Sequence, residues 1–150
     1  MDIKPYITGL AEGEGCFCVS FNLRSKLNTG IEVRPSFSIS QNQRNIKLLQ
    51  LVYDYFRCGS IRYSKKDRTY KFEVRRIDDL VRIVIPHFEK YPLCGIKQND
   101  FRNFVEICKM MKANLHRNQT QLERIIDIAY KINNGKRKYQ KEKLLKCIAR

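Results

Sequence analysis

Residues 9–17 read GLAEGEGCF, and the rest of the chain is read outward from them. Glycines stand at 9, 13 and 15, glutamates at 12 and 14, and the stretch runs straight into Cys-Phe-Cys-Val. As the end of a helix it is poorly composed. Each interior glycine costs about 0.8–1 kcal/mol relative to alanine. A carboxylate near a helix C-terminus faces the negative end of the macrodipole, worth roughly 0.3–1 kcal/mol in the wrong direction. Such costs point to function.

Periodicity on either side supplies the architecture. Residues 6–14 read as a short helix. Phe17, Val19, Phe21 and Leu23 then alternate with polar neighbours, which predicts a strand with one apolar face. After a turn at LNTG, Ile31, Val33, Pro35, Phe37 and Ile39 alternate with Glu32, Arg34, Ser36, Ser38 and Ser40. The two strands form a hairpin, with Pro35 marking an irregularity or an edge. Helical spacing follows at Ile46, Leu49, Val52 and Phe56, with Gly59 as the stop. Residues 60–76 predict a second hairpin turning near 66–68, with Tyr70, Phe72 and Val74 on one face. Asp78 or Asp79 opens a helix that Pro86 breaks. A helix over about 98–113 carries Phe101, Phe104, Val105, Cys108 and Met111 as its apolar stripe. Thr120 and Glu123 have capping-box spacing and introduce a helix through Leu122, Ile125, Ile126, Ala129 and Ile132. Residues 136–150, with seven basic residues and one acidic, form a short amphipathic helix or a loosely held arm. The repeated αββ order predicts one α+β domain over 1–150, its sheet covered by helices on one face and polar on the other.

Composition bounds the function. The 150 residues suit a single domain with a real core, and 43% hydrophobic against 30% charged residues exclude a disordered chain. No run is long enough to span a membrane and no secretory signal precedes the first helix. Thirty Lys and Arg against fifteen Asp and Glu give a net charge of +15, the footprint of a nucleic-acid binder. A generally basic protein, or a binder of acidic surfaces, is the blander reading. Cys16, Cys18, Cys58, Cys94, Cys108 and Cys147 contain no CxxC pair, and His87 and His116 lie far apart, so a zinc site is not expected. Most of the cysteines read as reduced core thiols of an intracellular protein.

The outward strand positions carry the binding signal. Ser20, Asn22, Arg24, Lys26, Glu32, Arg34, Ser36, Ser38, Arg62, Ser64, Lys66, Lys71, Glu73 and Arg75 are hydrogen-bonding or charged residues. Arginine forks and short polar side chains read base edges in the major groove, which admits a two-stranded ribbon. Lysines supply phosphate attraction. Any half-exposed sheet alternates in this way, and cations also blunt sheet edges. However, Phe17, Phe21, Phe37 and Phe72 fall on the inward parity, which argues for groove contact over base stacking.

With the strands placed, YITGLAEGEGCF resembles the signature of the LAGLIDADG homing endonucleases. FSISQNQRNIKLLQLVYDYFRCGSIR, FEKYPLCGIKQNDFRNF and AYKINNGKRK are similar to later segments of that family, so the likeness covers nearly the whole chain. It implies the αββαββα homing-endonuclease fold with a four-stranded antiparallel DNA-binding sheet. It implies a site-specific double-strand DNA endonuclease, intron-encoded and cutting a long pseudo-palindromic target. One motif implies a homodimer whose first helices meet through Ile7, Gly9, Leu10 and Gly13. The resemblance makes Glu14 the metal-binding carboxylate, with the Gly13 carbonyl as a further ligand, and Glu12 structural. It places Gln41 near the attacking solvent, Lys97 in support of the nucleophilic water or the phosphate charge, and Arg44 in a basic role at the same centre. The implied ion is Mg2+ or Mn2+, with Ca2+ a substitute that does not support cleavage. No small-molecule cofactor and no membrane partner are expected. A bacterial cytoplasm, chloroplast or mitochondrion each suits. An RNA-splicing maturase, with RNA as partner, and a non-cleaving DNA-binding regulator are the alternatives on the same fold.

Overall fold

The computed structural model of the chain describes residues 1–135 and 137–148. Its elements follow in the order α1 (Ile3–Glu14), β1 (Gly15–Leu23), β2 (Ile31–Asn42), α2 (Ile46–Phe56), β3 (Ser60–Ser64), β4 (Thr69–Val74), α3 (Ile77–Asp79), a π-helical turn (Leu80–Val84), α4 (Ile85–Lys90), α5 (Ile96–Lys112), α6 (Gln119–Ala129) and α7 (Lys141–Cys147). The four strands form one antiparallel sheet in the order β1-β2-β4-β3. The architecture is the α+β one that alternation and helical spacing predict.

Strict alternation puts one face of the sheet under the helices. Phe17, Val19, Phe21, Val33, Phe37, Ile39, Phe72 and Val74 are all buried. Phe17 is the centre of the core, with ring centroids 5.1–5.3 Å from those of Phe37, Phe88, Phe101 and Phe104. These tilted and edge-on contacts join the first hairpin to α4 and α5, and each adds roughly 0.5–1.5 kcal/mol to plain burial. Pro35 lies beyond the end of β4, which pairs with β2 only from Phe37 onward, so the missing N–H falls at an open edge. The free edge of β1 is covered: Asn133 Nδ2 donates to the Phe17 carbonyl at 3.0 Å.

Several local expectations give way to tertiary packing. Pro86 does not break its helix. A π-helical turn ends at Val84, and this wider turn relieves the clash that a proline ring makes with the preceding turn. The helix then continues because His87 and Phe88 are buried. The stop of α2 is Arg57 in the left-handed region (φ 54°), not Gly59. Gly59 is required for another reason: at φ +82° an added Cβ would lie 2.5 Å from the Glu73 carbonyl oxygen. The cap of α6 is Asn118, whose side chain accepts from the Gln121 N–H, and not Thr120. The buried stripe of α5 runs through Ile107 and Met110, while Val105 and Met111 are half-buried. Of the cysteines only Cys108 is fully buried; Cys94 is exposed and the rest are half-buried. The basic tail docks as α7 through Leu144 and Ile148, while Lys136, Ala149 and Arg150 lie outside the described residues.

His87 ties α1, α2 and α4 together. The Thr8 hydroxyl donates to the Tyr91 carbonyl at 2.8 Å, so it accepts from His87 Nε2–H at 3.1 Å. His87 Nδ1 then accepts from the Tyr55 hydroxyl at 2.7 Å. The ring is held neutral, and burial pushes its pKa down to about 4. In the unfolded chain the ring titrates near 6.5, so between the two values the unfolded state binds more protons. Stability is therefore complete above pH 6.5 and falls as the pH drops toward 4, by about 3 kcal/mol. Urea unfolding at pH 7.5, 6.5, 5.5 and 4.5 should show this decline, and His87→Gln should flatten it.

Candidate nucleic-acid interface and catalytic end

The three glycines of the opening stretch do different things. Gly15 starts β1 with extended backbone, and a Cβ there would meet the Ala11 carbonyl oxygen at 2.7 Å and Ala11 Cα at 2.9 Å. It is glycine because the chain leaves the helix by doubling back against its last turn. Gly9 and Gly13 are exposed and helical, and a Cβ on either would meet nothing within 4 Å. Their lack of side chains serves no contact inside this chain. They share a surface of α1 with Tyr6, opposite the buried Ile7 and Ala11. This corrects one expectation: Ile7 is fully buried in the chain's own core and has no surface to offer a second helix. Leu10 is half-buried against that core.

The two glutamates also divide. Glu12 Oε1 accepts from the backbone N–H groups of Cys94 (2.6 Å) and Gly95 (3.1 Å), just ahead of α5. Glu14 is exposed and makes no hydrogen bond or ion pair to any described residue. The β1–β2 register sets Gly15 opposite Ile39, two residues before Gln41, so Glu14 and Gln41 occupy one end of the sheet. Gln41 is half-buried there. Its Oε1 accepts from Asn45 at 3.1 Å, which leaves its amide protons directed elsewhere. Arg44 is exposed in the turn between β2 and α2, its backbone N–H held by the Asn42 side chain at 3.0 Å.

Lys97 reaches the same end from the first turn of α5. Its Nζ donates to the carbonyls of Ala11 (3.0 Å), Glu12 (2.9 Å) and Gly15 (2.7 Å). Position in sequence makes it a cation at a helix start, an unfavourable place. Space makes it a cation on the C-terminal carbonyls of another helix, a favourable one. Only the cross-helix contact, which no local pattern encodes, shows which applies. Among the described residues no three His, Cys, Asp or Glu side chains converge. An ion held at Glu14 needs oxygen ligands from outside this chain's side chains.

The outward sheet face carries the residues that alternation assigns to it. Glu32 organises one cluster, accepting from Arg24 Nη1 at 2.5 Å and lying 3.4 Å from Arg34 Nε on the same strand. The Arg24 guanidinium holds the Glu32 carboxyl below the usual carboxylate range. Glu73 holds Arg75 at 2.9 Å. Arg62 and Lys71 stand opposite each other, exposed, with no ion pair among the described residues. Ser20 is exposed and bonds the Arg34 carbonyl at 3.4 Å, and Asn22 lies across from Glu32. Lys26 and Lys66 are exposed in the hairpin turns, and Ser64 bonds Asp67 at the second of them. Ser36 is half-buried. Ser38 is a correction: it is on this face but only 8% exposed, seated between Cys16 and Glu73 in the register, with little surface for a base edge.

A polar antiparallel sheet backed by helices, with an exposed face of α1 and the unengaged Glu14 carboxylate at its end, is the arrangement to set beside known proteins. The chain belongs to the LAGLIDADG endonuclease family, whose model matches residues 7–108. It is 36% identical over 140 residues to a protein named probable intron-encoded endonuclease 2 of Neurospora crassa, covering 91% of this chain and 30% of that protein. The crystal structure of the homing endonuclease I-TnaI superposes with a TM-score of 0.85 at 34% identity, covering 98% of this chain and 97% of that one. That of I-LtrWI bound to target DNA superposes with a TM-score of 0.91 at 30% identity, covering 99% of this chain and 50% of that one. No helix among the described residues is long and apolar enough to cross a membrane.

The open surroundings of Gly9 and Gly13 give a test of opposite signs. Gly9→Ala and Gly13→Ala should each stabilise the isolated chain by about 0.5–1 kcal/mol through helix propensity. Gly15→Ala should destabilise it by about 2 kcal/mol or more, because backbone stands in the way of the methyl group. Urea unfolding at high dilution separates the three.

Proposed function

We propose that the chain is a site-specific double-strand DNA endonuclease, intron-encoded like its Neurospora crassa relative by name, that acts as a homodimer on a long pseudo-palindromic site. The observation that carries this reading is the unengaged Glu14 carboxylate, held at the end of a rigid helix beside the polar sheet. Family membership and the likeness to I-LtrWI bound to target DNA support it. The burial of Phe17, Phe21, Phe37 and Phe72 supports duplex DNA over stacked RNA, since these four rings pack into the core and away from the polar face of the sheet.

Association follows from α1. Two copies meeting through the Gly9–Gly13 surface, flanked by Tyr6 and Leu10, bring two Glu14 carboxylates together at the symmetry axis. The full-length match to I-TnaI and the half-length match to I-LtrWI support one unit per subunit of a pair. Each subunit's hairpins then lie along one half-site. Lys66, Lys71 and Lys26 attract phosphates, while Arg62 and the Glu32-ordered arginines read base edges.

The donor set suits a hard divalent cation, Mg2+ or Mn2+. Glu14 supplies a free carboxylate, and the Lys97 ammonium engages the carbonyls of Ala11, Glu12 and Gly15 but not that of Gly13. When bound, such an ion polarises the scissile phosphate and eases loss of a proton from the attacking water. The chain's own residues do the rest. Glu14 from each subunit would supply carboxylate oxygens and negative charge to hold such an ion. Gln41, its oxygen fixed by Asn45, directs its amide protons to solvent or a phosphate oxygen. Arg44 adds positive charge where the phosphate becomes more negative.

Glu14→Gln keeps shape and removes charge. Cleavage of a target selected from a duplex library should fall by roughly 100-fold or more, while binding stays within about threefold. A fully active variant would refute the metal role. Gly13→Leu obstructs the helix surface, so light scattering at micromolar concentration should move from twice the 17.8 kDa chain mass to once that mass. A monomeric wild-type protein, with DNA present, would refute the dimer.

A further inference from the structure

The contacts between the ends of α1 and α5 run in both directions. Glu12, in the last turn of α1, accepts the N–H groups of Cys94 and Gly95 at the start of α5. Lys97, in the first turn of α5, donates to three carbonyls at the end of α1. Each charge is badly placed on its own helix and well placed on the other: a carboxylate meets the positive N-terminal end, an ammonium the negative C-terminal end. The N-cap residue of α5 is Gly95, which gives that helix no side-chain cap, so Glu12 supplies one from another element.

We propose that Glu12 and Lys97 are a coupled pair of positioning residues that fixes the Glu14 carboxylate. Lys97 then serves the reaction through the backbone of α1 and not by touching DNA or the attacking water. An ammonium has three protons, and three carbonyl oxygens take them at 2.7–3.0 Å. The gripped carbonyls belong to residues 11, 12 and 15, so they bracket Glu14 and fix the backbone from which its side chain leaves the helix. Losing either partner strands the other in an unfavourable field, which is why the two effects are coupled. The inference deepens the nuclease reading and rests on it for its catalytic consequence, while the clamp itself exists without DNA or metal.

Amide hydrogen exchange of the metal-free protein reads the clamp directly. The Gly15 N–H, bonded to the Ala11 carbonyl, reports on the end of α1, and the Cys94 and Gly95 N–H groups report on the start of α5. Glu12→Ala and Lys97→Met should each speed exchange at both ends by about tenfold or more. Glu12→Gln, which keeps an acceptor oxygen, should restore most of the protection. On a selected target, each single variant should lower kcat with little change in DNA affinity and should need more Mg2+ for half-maximal rate. The double variant should be no slower than the worse single one. The proposal is overturned if Lys97→Met abolishes cleavage with exchange unchanged and Glu12→Ala cleaves like the wild type, because Lys97 then acts on the substrate directly. It is also overturned if each variant loosens only its own helix end. A wild-type protein that binds but cleaves no duplex would refute the nuclease reading, and the exchange arm would still decide the clamp.

Discussion

The end of α1 holds together because two misplaced charges are exchanged between helices. A helix leaves four C=O groups unsatisfied at one end and four N–H groups at the other. At the junction of α1 and α5 the donors and acceptors come from side chains of the opposite helix, Lys97 and Glu12. This arrangement does three things at once. It caps a helix that must stop abruptly so that Gly15 can start β1. It fixes the angle between α1 and α5, and so the cover over Phe17, which packs on Phe101 and Phe104 of α5. It also leaves Glu14 as the acid of the stretch with no hydrogen bond or ion pair to any described residue. His87 supports the same helix from behind through Thr8, so α1 is anchored at its middle as well as at its end.

The sheet follows a related logic on a larger scale. A basic surface that read bases with freely rotating arginines would lose much side-chain entropy on binding, roughly 0.5–1.5 kcal/mol per side chain. Here Glu32 sits between Arg24 and Arg34, and Glu73 holds Arg75. The carboxylates lower the positive charge of the face a little and order its forks ahead of the proposed binding of DNA. The lysines of the hairpin turns are exposed and form no ion pair among the described residues, which suits the phosphate attraction proposed for them. Of the three acids in the two hairpins, Glu32, Asp67 and Glu73, two are supports for arginine.

The fold was legible where local periodicity and tertiary burial agree. The period-two apolar positions of residues 17–39 and 70–74 turn toward the core, because a strand's faces are fixed by its pleat, except that Leu23 is exposed at the end of β1 and Tyr70 is half-buried. Fidelity failed where a distant contact outweighs a local rule. Pro86 stays helical because a π-turn and the burial of Phe88 outweigh its steric cost. Arg57 takes the left-handed position that glycine favours, and Asn118 caps α6 ahead of Thr120. In the site, the inequality of Glu12 and Glu14 came from the resemblance to the family's signature and not from local pattern, since both acids lie in the same turn. The partner of Glu12 was not legible, because Cys94 and Gly95 offer backbone groups that carry no residue signature. Lys97 was found by resemblance, but its contacts with α1 carbonyls lie some eighty residues away in sequence.

Gly9 and Gly13 connect this junction to the behaviour of the whole molecule. Inside one chain they weaken α1 by roughly 1.5–2 kcal/mol together and touch nothing in return. The clamp and the Thr8–His87 contact hold α1 in place despite that loss. The helix is thus stiffened from within exactly where an outer surface has been pared down to backbone. A flat, stiff, glycine-lined surface lets a second helix approach with little side-chain entropy to lose. In the proposed homodimer the same closeness sets the spacing of the two Glu14 carboxylates. If that spacing matters for holding a cation between two strands of DNA, the glycines and the clamp serve one requirement: the glycines set the distance between helices, and the clamp keeps each helix end from moving within it.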